Sequence, residues 1–147
     1  MDELINAIAA VIASKFGYDI VVDEMGEGFK RPSFFIYRIS DLDMPMNRYT
    51  YNNNTIIQIV YFSPIDDYGN IKSRADQAST IETLKYKFMS DLAIEYDGKW
   101  AKIKQINSDY TGDKDIFLQL VLDTTIGTRQ DPTVPTMKEI NLKGGVN

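Results

Sequence analysis

The feature that most constrains this chain is a pair of apolar runs with β-strand character, separated by a polar connection. The first, Ser33–Ile39, reads Ser-Phe-Phe-Ile-Tyr-Arg-Ile and is rich in aromatic and β-branched residues. The second, Thr55–Phe62, places Ile57, Ile59 and Tyr61 on one face and Ile56, Val60 and Phe62 on the other, with Gln58 between. In the first run Phe34 and Ile36 likewise oppose Phe35, Tyr37 and Ile39, so both faces are expected to be covered. Asp41–Arg48, with Pro45, reads as a turn. Tyr49–Tyr51 resumes the strand briefly and Asn52–Asn54 interrupts it. Residues 33–62 therefore predict a long antiparallel hairpin.

The entry to this hairpin is Glu24-Met-Gly-Glu-Gly-Phe-Lys-Arg-Pro. Gly26 and Gly28 supply the φ > 0 freedom of a turn, and Pro32 opens the strand where its missing N–H is tolerated. The glycine spacing resembles the start of a dinucleotide loop. No third glycine follows, and a proline and a strand stand where a helix must open, which excludes that reading.

The remaining chain supplies the partners of the hairpin. Asp2–Phe16 predicts an amphipathic helix through Ile5, Ile8, Ile12 and Phe16, with Leu4 and Val11 widening the stripe and Gly17 as its stop. Tyr18–Asp23 reads as a short strand. A second helix is expected from Ser73 or Asp76 to about Tyr96, striped by Ala78, Ile81, Leu84, Phe88 and Leu92 and stopped by Gly98. Lys99–Asn107 and Ile116–Thr125 predict two further strands. The fold class is α+β: a mainly antiparallel sheet with a long β-hairpin, flanked by two helices. Residues 1–126 form one domain. Residues 127–147 form an extended C-terminal arm, whose apolar residues Val134, Met137, Ile140 and Leu142 are too scattered for a core. A frayed end and an arm that docks on a neighbouring subunit both fit that pattern.

Chemistry is limited by what the chain lacks. Its 147 residues include no histidine and no cysteine. That removes Ser-His-Asp and Cys-His nucleophiles and His/Cys zinc sites. Carboxylate-only catalysis survives. Asp41 and Asp43, Asp66 and Asp67, and the group Asp109, Asp113, Asp115 fall at predicted turns, without the ordered spacing and bidentate Glu of a calcium loop. No metal and no cofactor is expected. The net charge of −5 argues against nucleic-acid binding by the chain as a whole. Basic residues concentrate at Lys30 and Arg31 beside Phe29, at Arg38 and Arg48, and later at Lys102 and Lys104 beside Trp100. Upstream they are interleaved with Glu24 and Glu27, a pattern that fits a subunit contact better than phosphate binding. No apolar run approaches the roughly 20 residues that span a bilayer, and no membrane partner is expected.

The order helix, short strand, Glu-x-Gly-x-Gly-Phe-x-x-Pro-x-Phe-Phe-Ile, long hairpin, helix and two strands resembles the tail terminator proteins of long-tailed bacteriophages and phage-tail-like particles, in the form found in Gram-positive prophages. Gly28, Phe29, Pro32, Phe34, Phe35, Ile36, the run Thr55–Phe62 ending in Ser63-Pro64, and the helix around Ile81–Leu92 carry the resemblance, over roughly residues 1–126. It implies a structural virion protein with no catalytic residues. It further implies a homo-oligomeric ring, typically a hexamer, at the neck end of the tail. The ring would cap the tube, end tail polymerisation and join tail to neck or head. Expected partners are further copies, tail tube and sheath proteins, neck or connector proteins, and DNA passing through the lumen without specific binding. Assembly would take place in the bacterial host cytoplasm. A head–tail connector and a small-molecule-binding or enzymatic α+β domain are the alternatives. Glu24, Glu27, Phe29, Lys30, Arg31, Arg38 and Arg48 are the candidate subunit-interface residues.

Overall fold

The computed structural model describes residues 3–23 and 30–127. The elements are α1 (Glu3–Ala13), β1 (Asp19–Val22), β2 (Ser33–Pro45), β3 (Thr50–Phe62), α2 (Arg74–Asp91), β4 (Ala93–Tyr96), β5 (Lys99–Tyr110) and β6 (Ile116–Gly127). The strands form one six-stranded sheet in the order β1-β2-β3-β6-β5-β4. β1 runs parallel to β2, and every other pairing is antiparallel.

Both helices lie on the same face of this sheet. Leu4, Ile5, Ile8 and Ile12 of α1 and Ile81, Leu84 and Phe88 of α2 pack on Phe34, Ile36, Ile57, Ile59, Tyr61, Leu118, Leu120 and Leu122. Alternation along each strand selects this set, because a period of two sends every second side chain to the helices. At one end Phe16, Tyr18, Phe34 and Tyr61 form a cluster with ring centroids 5.1–6.0 Å apart. The Tyr61 hydroxyl inside it donates to Asp76 Oδ2 at 2.8 Å.

The opposite face carries no helix among the described residues. This corrects the expectation that both faces of the strands are covered. Phe35, Tyr37, Ile56 and Phe62 are only half-buried, and Ile39 is 46% exposed. Neighbouring side chains on the same face, such as the stacked Phe35 and Tyr37, shield these residues from solvent only in part.

Two boundaries also differ from expectation. The hairpin is longer: β2 continues through Asp41–Pro45 and β3 includes Asn52–Asn54, so only Met46–Tyr49 turn the chain. Cross-strand side-chain bonds hold these polar residues in register, and Asn47 Oδ1 accepts from the amides of Tyr49 (2.8 Å) and Thr50 (3.0 Å) to close the turn. The second helix is shorter. Ser73 caps its start, accepting from the Asp76 amide at 3.0 Å, but the helix ends at Asp91 with Leu92 left-handed at φ 64. Ala93–Tyr96 is a strand, and Gly98 belongs to a hairpin instead of a helix cap. Asp97 (φ 48) and Gly98 (φ 73) both take positive φ, as the two central residues of a tight β-hairpin turn do.

Candidate assembly surfaces

On the helix-free face the register sets side chains in rows across the strands. One row is Phe35, Val60, Phe117 and Asp109; the next is Tyr37, Gln58, Gln119 and Asn107; a third contains Ile56, Val121 and Gln105. The middle row is hydrogen-bonded. Gln58 Nε2 donates to the Tyr37 hydroxyl at 2.6 Å, and Gln119 Nε2 donates to Gln58 Oε1 at 3.2 Å. Phe35 and Tyr37 stack with centroids 4.9 Å apart. The face is thus an ordered mixture of apolar and amide groups, with Trp100 exposed at its far side.

The end of the β2–β3 hairpin carries a second surface. Asn53 Nδ2 donates to Asp41 Oδ1 and to Asp43 Oδ1, each at 2.7 Å, and the Thr55 hydroxyl lies 3.0 Å from Asp41 Oδ1. The Asn53 amide holds the Asp41 carboxyl below the usual carboxylate range. Slight burial opposes that effect, while Thr55 and the Arg38 charge assist it. Asn52 donates to Asp123 one strand further. An open groove of about 750 Å³ runs beside this cluster, lined by Asp23, Arg38, Asp41, Asp43, Asp97 and Lys99 among others. Its walls are polar and of both signs. Among the described residues no group of three or more Asp or Glu side chains is placed to hold a metal ion. Leu42, Met44, Met46 and Tyr49 are 42–60% exposed along the same hairpin end.

The candidate interface residues separate in the structure. Glu24, Glu27 and Phe29 lie outside the described residues, as do Val134, Met137, Ile140 and Leu142 of the arm. Lys30 is exposed. Arg48 sits at the hairpin tip with its guanidinium 6.0 Å from the Tyr49 ring centroid. Arg38 is half-buried on the helix side of β2. Arg31 is used inside the chain. Its Nη1 donates to the Ser63 carbonyl at 2.8 Å and to Asp115 Oδ1 at 3.1 Å, and its guanidinium stacks 5.2 Å from the Phe62 ring centroid. Asp115, which the spacing assigns to a solvated connection, is therefore a buried ion-pair partner that ties the β5–β6 turn to the start of the hairpin. No local sequence signal marks it, since Arg31 and Asp115 are 84 residues apart.

Two helices on one side of a mostly antiparallel sheet, with the other side open and no catalytic constellation among the described side chains, define a small sheet-built α+β protein. A family model described as phage tail terminator protein matches residues 3–135, and the chain belongs to that family. It is therefore a structural protein of the phage tail, located in the virion tail and associated with other tail or neck proteins. No described helix is long and apolar enough to cross a membrane. Among curated proteins none matches the chain. Solved structures are also similar to the chain, among them one at 17% identity and TM-score 0.47, covering 87% of this chain and 96% of its own.

Proposed function

We propose that this protein forms a ring, of six copies, that caps the head-proximal end of the tail tube, ends tail polymerisation and joins the tail to the neck or head. The observation that carries this reading is the family match over residues 3–135, most of the chain. The open sheet face and the exposed hairpin end support it, since among the described residues both offer exposed surface to further copies or to tube, sheath and neck proteins. The net charge of −5 suits a lumen through which DNA slides without sticking. Lys30, Arg38 and Arg48, with Glu24, Glu27 and Phe29, would contribute to contacts between subunits. The arm, through Val134, Met137, Ile140 and Leu142, would dock on a neighbouring subunit or tail component. Assembly would occur in the host cytoplasm before the particle is released.

Electron microscopy of particles lacking the protein tests the role. Over-long tails are expected; normal tails lying beside filled heads would overturn the reading in favour of a connector. Deleting residues 128–147 tests the arm: unchanged assembly and tail length would remove it from the account.

A further inference from the structure

The sheet has two half-covered edges, and they are complementary. At one side β1 pairs with Ser33–Ile36 only, and from Ile39 to Pro45 no described strand lies against the outer edge of β2. Every side chain from Ile39 to Pro45 is exposed. At the other side β4 pairs with Lys99–Lys102, one more bond joins the Ile103 amide to the Leu92 carbonyl, and Lys104–Tyr110 carry no described strand on their outer edge. An exposed strand edge presents unpaired amides and carbonyls that accept a further strand.

We infer that the Ile39–Pro45 edge of one copy pairs with the Lys104–Tyr110 edge of the next, continuing one sheet from subunit to subunit. The inference rests on the ring reading above and names the surface by which the ring would close. Direction allows it. β2 and β6 run the same way and β5 runs opposite, so copies related by rotation about an axis along the strands bring β2 against β5 antiparallel. The short strands allow it as well. β1 covers β2 at one end of the sheet and β4 covers β5 at the other, so two copies fit as a stepped lap.

Charge selects this pairing over its rival. Two copies of the β2 edge meeting about a two-fold axis would set Asp41 and Asp43 against the same residues of the other copy. The β5 edge instead sets Ser108 across from Asp41 and Ile106 across from Asp43, with Lys104 one step beyond, so no like charges oppose each other directly across the strand pair. The contact is head-to-tail, and such contacts close into rings when the rotation permits. The helix-free sides of the two sheets become continuous only if Leu42 faces a residue on that side of β5, and Asn107 is one. Asn107 lies level with Tyr37 through Gln119 and Gln58. Setting Leu42 opposite Asn107 shifts neighbours by about 13 Å along the strands over a sheet about 29 Å wide. That corresponds to strands tilted about 25° from the ring axis, and a sheet that closes on itself requires a tilt.

The chain has no cysteine, so disulfide trapping reads the contact directly. Full-length Leu42→Cys and Asn107→Cys variants are mixed and mildly oxidised, with light scattering on the same samples; Leu42→Cys mixed with Lys15→Cys is the control. The Leu42–Asn107 heterodimer should form on the order of a hundredfold faster than the control, because association raises the local thiol concentration from μM toward mM. An oligomer with no cross-link above control overturns the edge pairing and leaves the ring intact. Leu42→Cys linking only to itself overturns it in favour of a two-fold contact. A monomer without cross-links overturns both the pairing and self-assembly through this chain.

Discussion

Replacing Arg31 by alanine should strand a buried carboxylate. Asp115 keeps 4% of its side-chain surface in water and Arg31 keeps 21%. Removing one partner of a fully buried pair costs about 3–5 kcal/mol, because the remaining charge loses its compensation. Water reaching the partly exposed Arg31 site reduces that to about 2 kcal/mol by the same reasoning. The carbonyl of Ser63, a fully buried residue, also loses its donor, which adds about 1 kcal/mol. The total of about 3 kcal/mol corresponds to a fall of about 2 M in the urea midpoint, for a slope near 1.5 kcal/mol/M. Equilibrium unfolding followed by circular dichroism, at fixed protein concentration because association stabilises the folded state, measures it. Asp115→Asn keeps a neutral acceptor and should cost less. An Arg31→Ala midpoint within 0.3 M or so of the parent would refute the reasoning, since a gap that small is the signature of a surface ion pair worth about 0.5 kcal/mol. The same geometry predicts that charge reversal at Arg31 acts on folding before it acts on assembly.

The other expectations concern separate parts of the molecule. Lys30→Glu and Arg48→Glu, at exposed positions, should leave the thermal midpoint unchanged and lower the oligomer mass measured by light scattering; a full ring in both variants would remove them from the interface. Leu120→Ala, at a fully buried position between the helices and the sheet, should destabilise by about 2–5 kcal/mol through the cavity it leaves, read by urea unfolding. Burial, then hydrogen bonding to Asp76, pushes the Tyr61 phenol well above its ordinary pKa of 10.0. The folded state therefore holds this proton more tightly, and stability present below pH 10 should fall as pH rises above it; Tyr61→Phe should flatten that alkaline slope in a pH series of melts. Asn53→Ala removes the main donor to Asp41. The Asp41 carboxyl should then titrate at higher pH, followed by NMR, and the small stability it contributes above its unfolded pKa should be lost sooner as pH falls.

Much of the fold was legible because period and turn chemistry are local. The alternation of Ile57, Ile59 and Tyr61 grouped them on one side of β3, and Ile5, Ile8 and Ile12 marked the buried side of α1; both sets lie in the core. The start of α2 was legible as Ser73 or Asp76, and the structure chooses between them: Ser73 is the cap, accepting from the Asp76 amide. Asp97-Gly98 was misassigned although its signal was present: the same dipeptide that can follow a helix also turns a hairpin, and only the pairing of Ala93–Tyr96 with Lys99–Lys102 chooses between them. Asn52–Asn54 read as a breaker because asparagine is poor in strands; bonds to Asp41, Asp43 and Asp123 across the sheet outweigh that preference.

By itself the sequence determined most element types, the hairpin, the absence of histidine and cysteine chemistry, and the resemblance to tail terminators that the family match bears out. Only the tertiary structure decided that both helices share one face, that the other face stays open, that Arg31 is spent on a buried aspartate, and that two strand edges end half-covered at opposite ends of the sheet. The physical reason is distance along the chain. Apolar periodicity says that a side chain must be covered, but which segment covers it depends on packing between residues tens of positions apart, and no local pattern encodes that choice.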